Sequence, residues 1–231
     1  MVKGKTTAKK SMAKPVAEFE QHKKRRPFSI FLIMDDTVAR AELVKALSAL
    51  RLPTHEYMTA REFMLDYREN VPGVVITEYR LRDMLATDLQ SKLQAAKRDI
   101  PIVLMISPAD SGEGVKAMRH HGMDFVVKST AEQTLSSAVW RAYAQWYDVD
   151  WDFVAIDLDD VDSCMSRLTD REKQVLKLMG EGLSSREIGR KLKVSVKTIE
   201  AHRARINDKM RADDLADMAR MLCAYYEDAE R

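Results

Sequence analysis

The sequence has few cysteines and no long apolar run. Its 231 residues include only Cys164 and Cys223, too few for a disulfide framework and without the spacing of a metal site. No apolar stretch approaches the length of a membrane span. The first residues, MVKGKTTAKKSMAKP, also lack the apolar block that a secretion signal needs. These absences predict a soluble protein of the reducing cytoplasm.

Recognisable catalytic patterns are missing as well. The sequence shows neither a nucleophile paired with a base nor a phosphate-binding loop, so nothing in it supports an enzyme. Hydrophobic residues make up 45% of the chain and charged residues 32%, which is typical of a globular protein. A chain of 231 residues is long enough for two compact domains.

Charge is unevenly distributed, although the net charge is only +2. Residues 1–26 carry nine Lys and Arg against two Glu, and residues 27–147 are nearly balanced. Residues 148–163 contain seven Asp and no basic residue, whereas residues 164–211 hold 13 basic and six acidic side chains. A basic tail near a compact basic region indicates contact with nucleic acid. For the tail alone, a solvated surface is the alternative interpretation.

The C-terminal region contains a series of helix-capping signals. Thr169 precedes the apolar pattern of DREKQVLKLM, and Glu172 follows it by three residues, which makes a capping box. Ser184 and Glu187 repeat this box at the start of SREIGRKL, and Ser195 caps the next helix after a short link. A fourth helix, with one apolar stripe, is expected from residue 213 or 214 to about 225. The region therefore predicts a small all-helical domain.

The third helix, from residue 196 to about 210, follows the second after a tight turn. Two helices joined in this way can place the second one in the major groove of DNA. On a helical wheel, Ile199, Ile206 and Met210 share one side, and His202 lies at its edge, where a packing or hydrogen-bonding role is expected rather than base readout. The opposite side and its flanks combine charged groups with small side chains: Lys197, Glu200, Ala201, Ala204, Arg205 and Asp208.

This exposed side has the composition of a surface that reads DNA. Small residues let a helix backbone approach base edges, and a Glu can accept a hydrogen bond from a cytosine amine. Phosphate contacts position a domain without reading sequence. The predicted DNA-binding residues are therefore Lys193, Ser195, Lys197, Thr198, Glu200, Ala201, Ala204, Arg205 and Lys209, of which Lys193, Ser195, Thr198 and Lys209 are best placed for phosphates.

The segment LTDREKQVLKLMGEGLSSREIGRKLKVSVKTIEAHRARINDKM closely resembles the LuxR-type helix-turn-helix at the C-terminus of NarL/FixJ-type response regulators. Its motifs follow the spacing of that family throughout: LTxREKxVL, GLSSREIGxxL and VSxKTIEAHRxxI. The resemblance implies that the third helix enters the major groove and that the fourth commonly pairs two copies of the domain. It also implies that Glu200, Ala201 and Ala204 face the bases.

The middle region alternates strand and helix patterns. FSIFLIM, HEYM, GVVIT, IVLMI and DFVVK are expected as strands, separated by helical stretches. Five strands alternating with five helices predict an α/β, flavodoxin-like, doubly wound parallel sheet, followed by the all-α four-helix domain. The predicted organisation is a basic disordered tail (1–26), the α/β domain (27–147), an acidic linker (148–166) and the helix-turn-helix domain (167–231).

Polar side chains follow the carboxyl ends of these strands, where parallel sheets place ligands. Asp35, Asp36, Glu78, Ser107 and Lys128 would gather there. Paired carboxylates suit a hard cation such as Mg²⁺, and Asp35 and Asp36 are its candidate ligands, although the sequence indicates no required cofactor. The alternative is that these two residues only cap the helix that begins near Thr37.

The segments LIMDD, GVVITEYRLRDM and AMRHHGMDFVVKS resemble the receiver domain of two-component response regulators. Asp35, Asp36, Lys128 and the aromatic Phe125 follow the pattern of that family. The phosphoacceptor Asp is replaced by Glu78, the hydroxyl residue of the fourth strand is shifted to Ser107, and the Pro after the Lys is replaced by Ser129. The resemblance therefore implies an atypical receiver whose altered phosphoacceptor site includes Glu78, Ser107, Phe125 and Lys128.

Glu78 makes ordinary phosphorylation doubtful on geometric grounds. Its carboxylate extends about 1.3–1.5 Å further than that of Asp, which displaces the oxygen from the in-line position of phosphoryl transfer. One hypothesis is that Glu78 partly mimics the phosphorylated state, so that the protein acts without a kinase. The alternative is a pocket that has lost its chemistry and remains as a dimerisation scaffold.

The leading functional interpretation is a sequence-specific transcription regulator that binds double-stranded DNA as a homodimer. The alternative is an interaction protein whose receiver-like domain binds another regulator or a histidine kinase, with DNA binding secondary. The acidic linker could also compete with DNA for the basic domain, and the basic tail could add salt-sensitive phosphate contacts. The strand–helix alternation disfavours the other LuxR-type arrangement, which carries a small-molecule signal domain.

Overall fold

The structure is a computed structural model that describes residues 28–68, 71–128, 131–147, 158–212 and 214–229. The predicted basic tail and residues 148–157 of the acidic linker lie outside the described residues, as does Ser129. Within these ranges no helix is long and apolar enough to cross a membrane.

Over the described part of residues 28–147, the first domain is the predicted alternation of five strands and five helices. Short 3₁₀ turns follow the first helix and precede the fourth. In chain order the elements are β1 (Ser29–Ile33), α1 (Thr37–Leu47), β2 (Thr54–Tyr57), α2 (Ala60–Asp66), β3 (Gly73–Glu78), α3 (Ala86–Ala95), β4 (Ile102–Ile106), α4 (Ser111–His121), β5 (Asp124–Val127) and α5 (Ala131–Tyr147).

The strands form one parallel sheet in the order β2-β1-β3-β4-β5. Strands β1 and β4 are buried along their whole length, as expected for a parallel sheet covered on both faces. Helices α1 and α5 pack on one face, and α2, α3 and α4 pack on the other. This topology confirms the flavodoxin-like fold and brings the ends of β1, β3 and β5 to one edge.

The described residues of the second domain form five helices. They are α6 (Leu158–Ser166), α7 (Asp170–Gly180), α8 (Ser185–Leu192), α9 (Val196–Met210) and α10 (Leu215–Ala229). The last four confirm the helices expected from the sequence. Helix α6 lies in the stretch that the sequence analysis assigned to the linker, yet its Val161 and Cys164 are buried in the core of the helical domain.

The capping boxes form as the sequence predicts. The Thr169 hydroxyl accepts from the Glu172 amide, and the Glu172 carboxylate accepts from the Thr169 amide. Ser184 and Glu187 repeat this exchange at α8, and the Ser195 hydroxyl accepts from the Thr198 amide at 3.0 Å. These local hydrogen bonds fix where α7, α8 and α9 begin.

Candidate nucleic-acid interface and strand-edge site

The edge of the sheet holds an ion pair between Glu78 and Lys128. Glu78 ends β3, and Lys128 directly follows β5. The Lys128 ammonium donates to Glu78 Oε1, and the two side chains are 42% and 22% exposed for Lys128 and Glu78. The structure therefore brings together two of the four residues expected at the altered phosphoacceptor site.

The other two residues of that set have different surroundings. The Ser107 hydroxyl donates to Asp110 Oδ2 at 2.7 Å, close to the start of α4. Phe125 is fully buried, and a Cβ on Gly114 would lie 2.9 Å from its ring. Ser107 thus positions the loop before α4, and Phe125 packs beneath that helix.

Asp36 serves as a helix cap. Its Oδ1 accepts from the amides of Val38 at 2.9 Å and Ala39 at 3.1 Å, at the start of α1. Asp35 is exposed, and in the ranges that the structure describes no three His, Cys, Asp or Glu side chains gather to form a metal site. In this structure Asp36 Oδ1 accepts from backbone amides, and Glu78 accepts from Lys128. The metal role of Asp35 and Asp36 remains a prediction.

Tyr79 connects the strand edge to helix α4. It directly follows Glu78 and lies half-buried. Burial, and then the charge and hydrogen bond of the Glu113 carboxylate, raise the pKa of the Tyr79 hydroxyl. Glu113 in turn pairs with Lys116 at 3.2 Å. Tyr79 therefore links the segment that follows β3 to α4.

The exposed side of α9 corresponds to the one chosen on the helical wheel. Ile199, Ile206 and Met210 are fully buried, and His202 is half-buried with its Nδ1 lacking a hydrogen-bond partner among the described residues. The exposed residues are Lys197, Thr198, Glu200, Ala201, Ala204, Arg205 and Asp208. The helix thus presents small and charged side chains outward while its aliphatic residues hold it in the domain.

The phosphate-contacting residues predicted from the sequence fall into two groups. Lys193 and Ser195 are exposed in the turn between α8 and α9, and Ser195 and Thr198 share a hydrogen bond between their hydroxyls at 2.8 Å. Lys209 instead donates to the buried Glu172 carboxylate at 2.7 Å. Its predicted phosphate contact is untested, and the same ammonium already has a partner in the fold.

A basic groove adds two residues that the sequence analysis did not select. Arg186 and Arg190, four residues apart on α8, line an open groove of about 500 Å³ together with Lys193 and the start of α9. Both arginines are exposed. Their i, i+4 spacing on a helix was the signal available in the sequence. We call Arg186, Arg190 and Lys193 the basic groove.

Known families match both domains. Residues 30–140 match the response regulator receiver domain, and residues 166–222 match the bacterial regulatory proteins of the luxR family. The transcriptional regulatory protein FixJ of Rhizobium meliloti is 28% identical over 201 residues, which cover 85% of this chain and 96% of that protein. Nodulation protein W of Bradyrhizobium diazoefficiens is 27% identical over 192 residues, covering 83% and 84%.

Solved structures of response regulators are also similar. The response regulator StyR is 26% identical with a TM-score of 0.49, and the match covers 86% of this chain and all of that one. Full-length FixJ from B. japonicum is 24% identical with a TM-score of 0.48, covering 87% and 98%. The two family matches together define a protein that joins a receiver domain to a luxR-type helix-turn-helix domain. The chain belongs to the DNA-binding response regulators of the FixJ/LuxR type.

Proposed function

We propose that this response regulator is a sequence-specific transcription regulator that acts on duplex DNA as a homodimer and without ordinary aspartyl phosphorylation. The exposed side of α9 supports base reading by Glu200, Ala201 and Ala204, because small side chains allow close approach to base edges. The basic groove beside it supplies phosphate contacts, with Ser195, Lys197, Thr198, Arg205 and Lys209 as the further candidates.

The ion pair between Glu78 and Lys128 supports independence from phosphorylation. In the receiver pattern, the lysine at the position of Lys128 pairs with an oxygen of the transferred phosphoryl group. In this chain the Glu78 carboxylate pairs with Lys128 instead and neutralises its charge. Glu78 also carries its oxygen beyond the position that in-line transfer from a phosphodonor needs. We infer that Glu78 supplies negative charge where a phosphoryl group would otherwise lie.

The test is the selection of binding sites from a random pool of duplex DNA, with protein that has never met a phosphodonor. Wild-type protein is expected to recover a two-fold-symmetric motif. Glu78→Gln removes the charge while keeping the length of the side chain, so it is expected to weaken dimerisation and binding to that motif by about fivefold or more.

Glu42→Gln is the matched control, because it makes the same chemical change at an exposed position of α1. It should leave DNA affinity unchanged. If Glu78→Gln also behaved like wild type, the charge-mimic role of Glu78 would be wrong, and the pocket would be a scaffold. Recovery of no motif at all by the wild-type protein would contradict sequence-specific binding itself.

A further inference from the structure

Helix α10 packs in two hydrophobic cores at once. Met218 and Leu222 are buried among the residues of the helical domain. Ala216 and Ala219 are 1% and 3% exposed and are buried in the receiver core that contains Phe125. Because alanine side chains are small, α10 approaches the receiver closely, and the next turn of the helix lies over the start of β5.

A direct backbone contact supports the same docked arrangement of the two domains. A Cβ on Gly112, in the first turn of α4, would overlap the carbonyl oxygen of Gly182 in the helical domain. A Cβ on Gly182 would lie 2.5 Å from the Gly112 carbonyl oxygen. The two backbones therefore touch in a way that only glycine permits. The position of α10 against the receiver thus rests on two separate contacts.

An open cavity of about 340 Å³, which we call the α10 cavity, lies between α10 and the receiver. Apolar walls with a few polar groups are typical of sites for small molecules, and an apolar cavity of about 150 Å³ is enough to bind benzene. The α10 cavity therefore has the size and the lining of a site for a small organic molecule. Its apolar walls include Ile102, Val103, Met118, Met123, Ala138 and Ala142.

Three charged side chains also line the α10 cavity and contact one another. Asp124, at the start of β5, accepts from Arg141 Nε of α5 at 2.8 Å and from Arg220 Nη1 of α10 at 3.0 Å. The three side chains are only 17–21% exposed. Burial lowers the pKa of Arg141, and the Asp124 charge then opposes that effect. Because Arg141 has lost much of its hydration, a further anionic partner would stabilise its charge.

The charges of the lining favour an anion, since two guanidinium groups face one carboxylate. Arg141 uses Nε and Nη2 for Asp124, and no hydrogen bond to a described residue uses its Nη1. Both oxygens of Asp124 already accept from an arginine. Asp217, which does not line the cavity, lies 3.6 Å from Arg220 and is 34% exposed, so water screens its charge.

We propose that the α10 cavity binds a small carboxylic acid with an apolar body, whose carboxylate pairs with Arg141 while the body packs against the apolar walls. A guanidinium suits this group because its parallel N–H donors match the two oxygens of a carboxylate. An amine would be repelled by the two arginines, and a second charge on the ligand would lie unpaired against apolar side chains. The cavity shares no residue with the strand edge or with α9, so the inference does not depend on the function proposed above.

Binding is measured on the full chain with two pairs of probes. Benzoate and hexanoate have an apolar body and a carboxylate, whereas benzamide and hexanamide have nearly the same shapes without the charge. Cys223 lines the cavity and Cys164 is fully buried, so slower thiol labelling of Cys223 reports occupancy. At least one acid is expected to slow this labelling saturably and to bind about tenfold more tightly than its amide, as for a hydrogen bond to a charged group.

Two variants separate the contribution of charge from that of space. Arg141→Met keeps an unbranched apolar stem, and Asp124 retains Arg220. It should abolish the preference for the acid while leaving the affinity for the amide unchanged. Ala224→Leu, at a half-buried position of α10, fills part of the cavity and should weaken acid and amide alike by about tenfold.

The control is Arg211→Met, which removes an exposed arginine that pairs with Asp160 within the helical domain. It should bind every probe as the wild type does. Labelling of wild type that neither acid slows overturns the proposal, as does equal binding of each acid and its amide. A preference for the acid that persists in Arg141→Met contradicts the pairing with that residue, and binding that survives in Ala224→Leu places the acid outside the α10 cavity.

Discussion

At the scale of single residues, the carboxylate of Glu172 carries an unusual number of interactions. The residue is 3% exposed, and its Oε2 accepts from the Thr169 amide, the Thr169 hydroxyl and the Lys209 ammonium at 2.7–2.9 Å. The hydrogen bond from Lys209, followed by that from the Thr169 backbone, outweighs the opposing effect of burial and lowers the pKa of Glu172 to about 2. Glu172 therefore joins the start of α7 to the end of α9 as a charged group.

The lowered pKa predicts how stability depends on pH. In the unfolded chain Glu172 titrates near its ordinary pKa of 4.5, so its charged interactions stabilise the fold fully above that pH. As the pH falls from 4.5 towards about 2, protonation removes this contribution. Glu172→Gln should lower the free energy of unfolding at pH 7 by about 2 kcal/mol, and the difference from wild type should shrink over that window.

Urea denaturation of both proteins at several pH values measures this difference. Glu200→Gln makes the same chemical change at an exposed position of α9 and should leave the free energy of unfolding unchanged. A difference between wild type and Glu172→Gln that stayed constant down to pH 2 would contradict the assigned pKa.

The sequence predicts one part of this cluster and not the other. The hydrogen bonds between Thr169 and Glu172 span three residues, so a local pattern reveals them. Lys209 lies 37 residues after Glu172, and only the packing of α9 against α7 brings it there. The position of Lys209 on the helical wheel predicts a phosphate contact, and no residue near it in the sequence reveals its partner Glu172. Long-range pairs of this kind require the tertiary structure.

At the scale of secondary structure, α8 is distinguished by its basic residues. Arg186 and Arg190 both face the groove, and Lys193 follows in the left-handed conformation that ends the helix (φ +54°). A phosphate seated in this groove would release counterions from DNA. We therefore expect helix α8 as a whole, rather than one of its residues, to determine how DNA affinity depends on salt concentration.

Arg190→Ala tests this role of α8. The slope of log affinity against log salt concentration should become shallower by about 0.9 for the loss of one phosphate contact. The preferred motif should not change, because Arg190 contacts no base in this interpretation. Arg82→Ala removes an exposed arginine from the receiver and is the control. An altered motif with an unchanged slope would show that Arg190 reads bases instead.

Helix α6 was not predicted from the sequence, whereas the strands were. The strands were predictable because parallel strands buried on both faces have continuous apolar patterns, as in IVLMI and GVVIT. In LDDVDSCMS the acidic residues suggested a linker. Its few apolar residues lie on one face of the helix. That face is identified only by the core of the helical domain, in which Val161 and Cys164 are buried.

At the scale of the whole molecule, the sequence predicted two domains but not how they contact each other. Each domain has its own apolar periodicity and its own family pattern, and these signals are independent. The contact between them depends on groups far apart in the chain, such as Asp124 and Arg220, which are 96 residues apart. Gly112 and Gly182 carry no side chain that could have signalled a partner. The candidate strand-edge site was therefore predictable, whereas the docked arrangement was not.

The position of α10 in two cores also bears on how the protein melts. A helix that packs in both cores exposes apolar surface when it loses its contact with either one, so loss of either fold destabilises its neighbour. Wild-type protein should unfold on heating in a single calorimetric transition, with equal calorimetric and van't Hoff enthalpies. Arg220→Met should resolve two transitions, one per domain. Two separate transitions already in wild type would show that the domains melt independently; a single shared transition means that the two folds act as one cooperative unit.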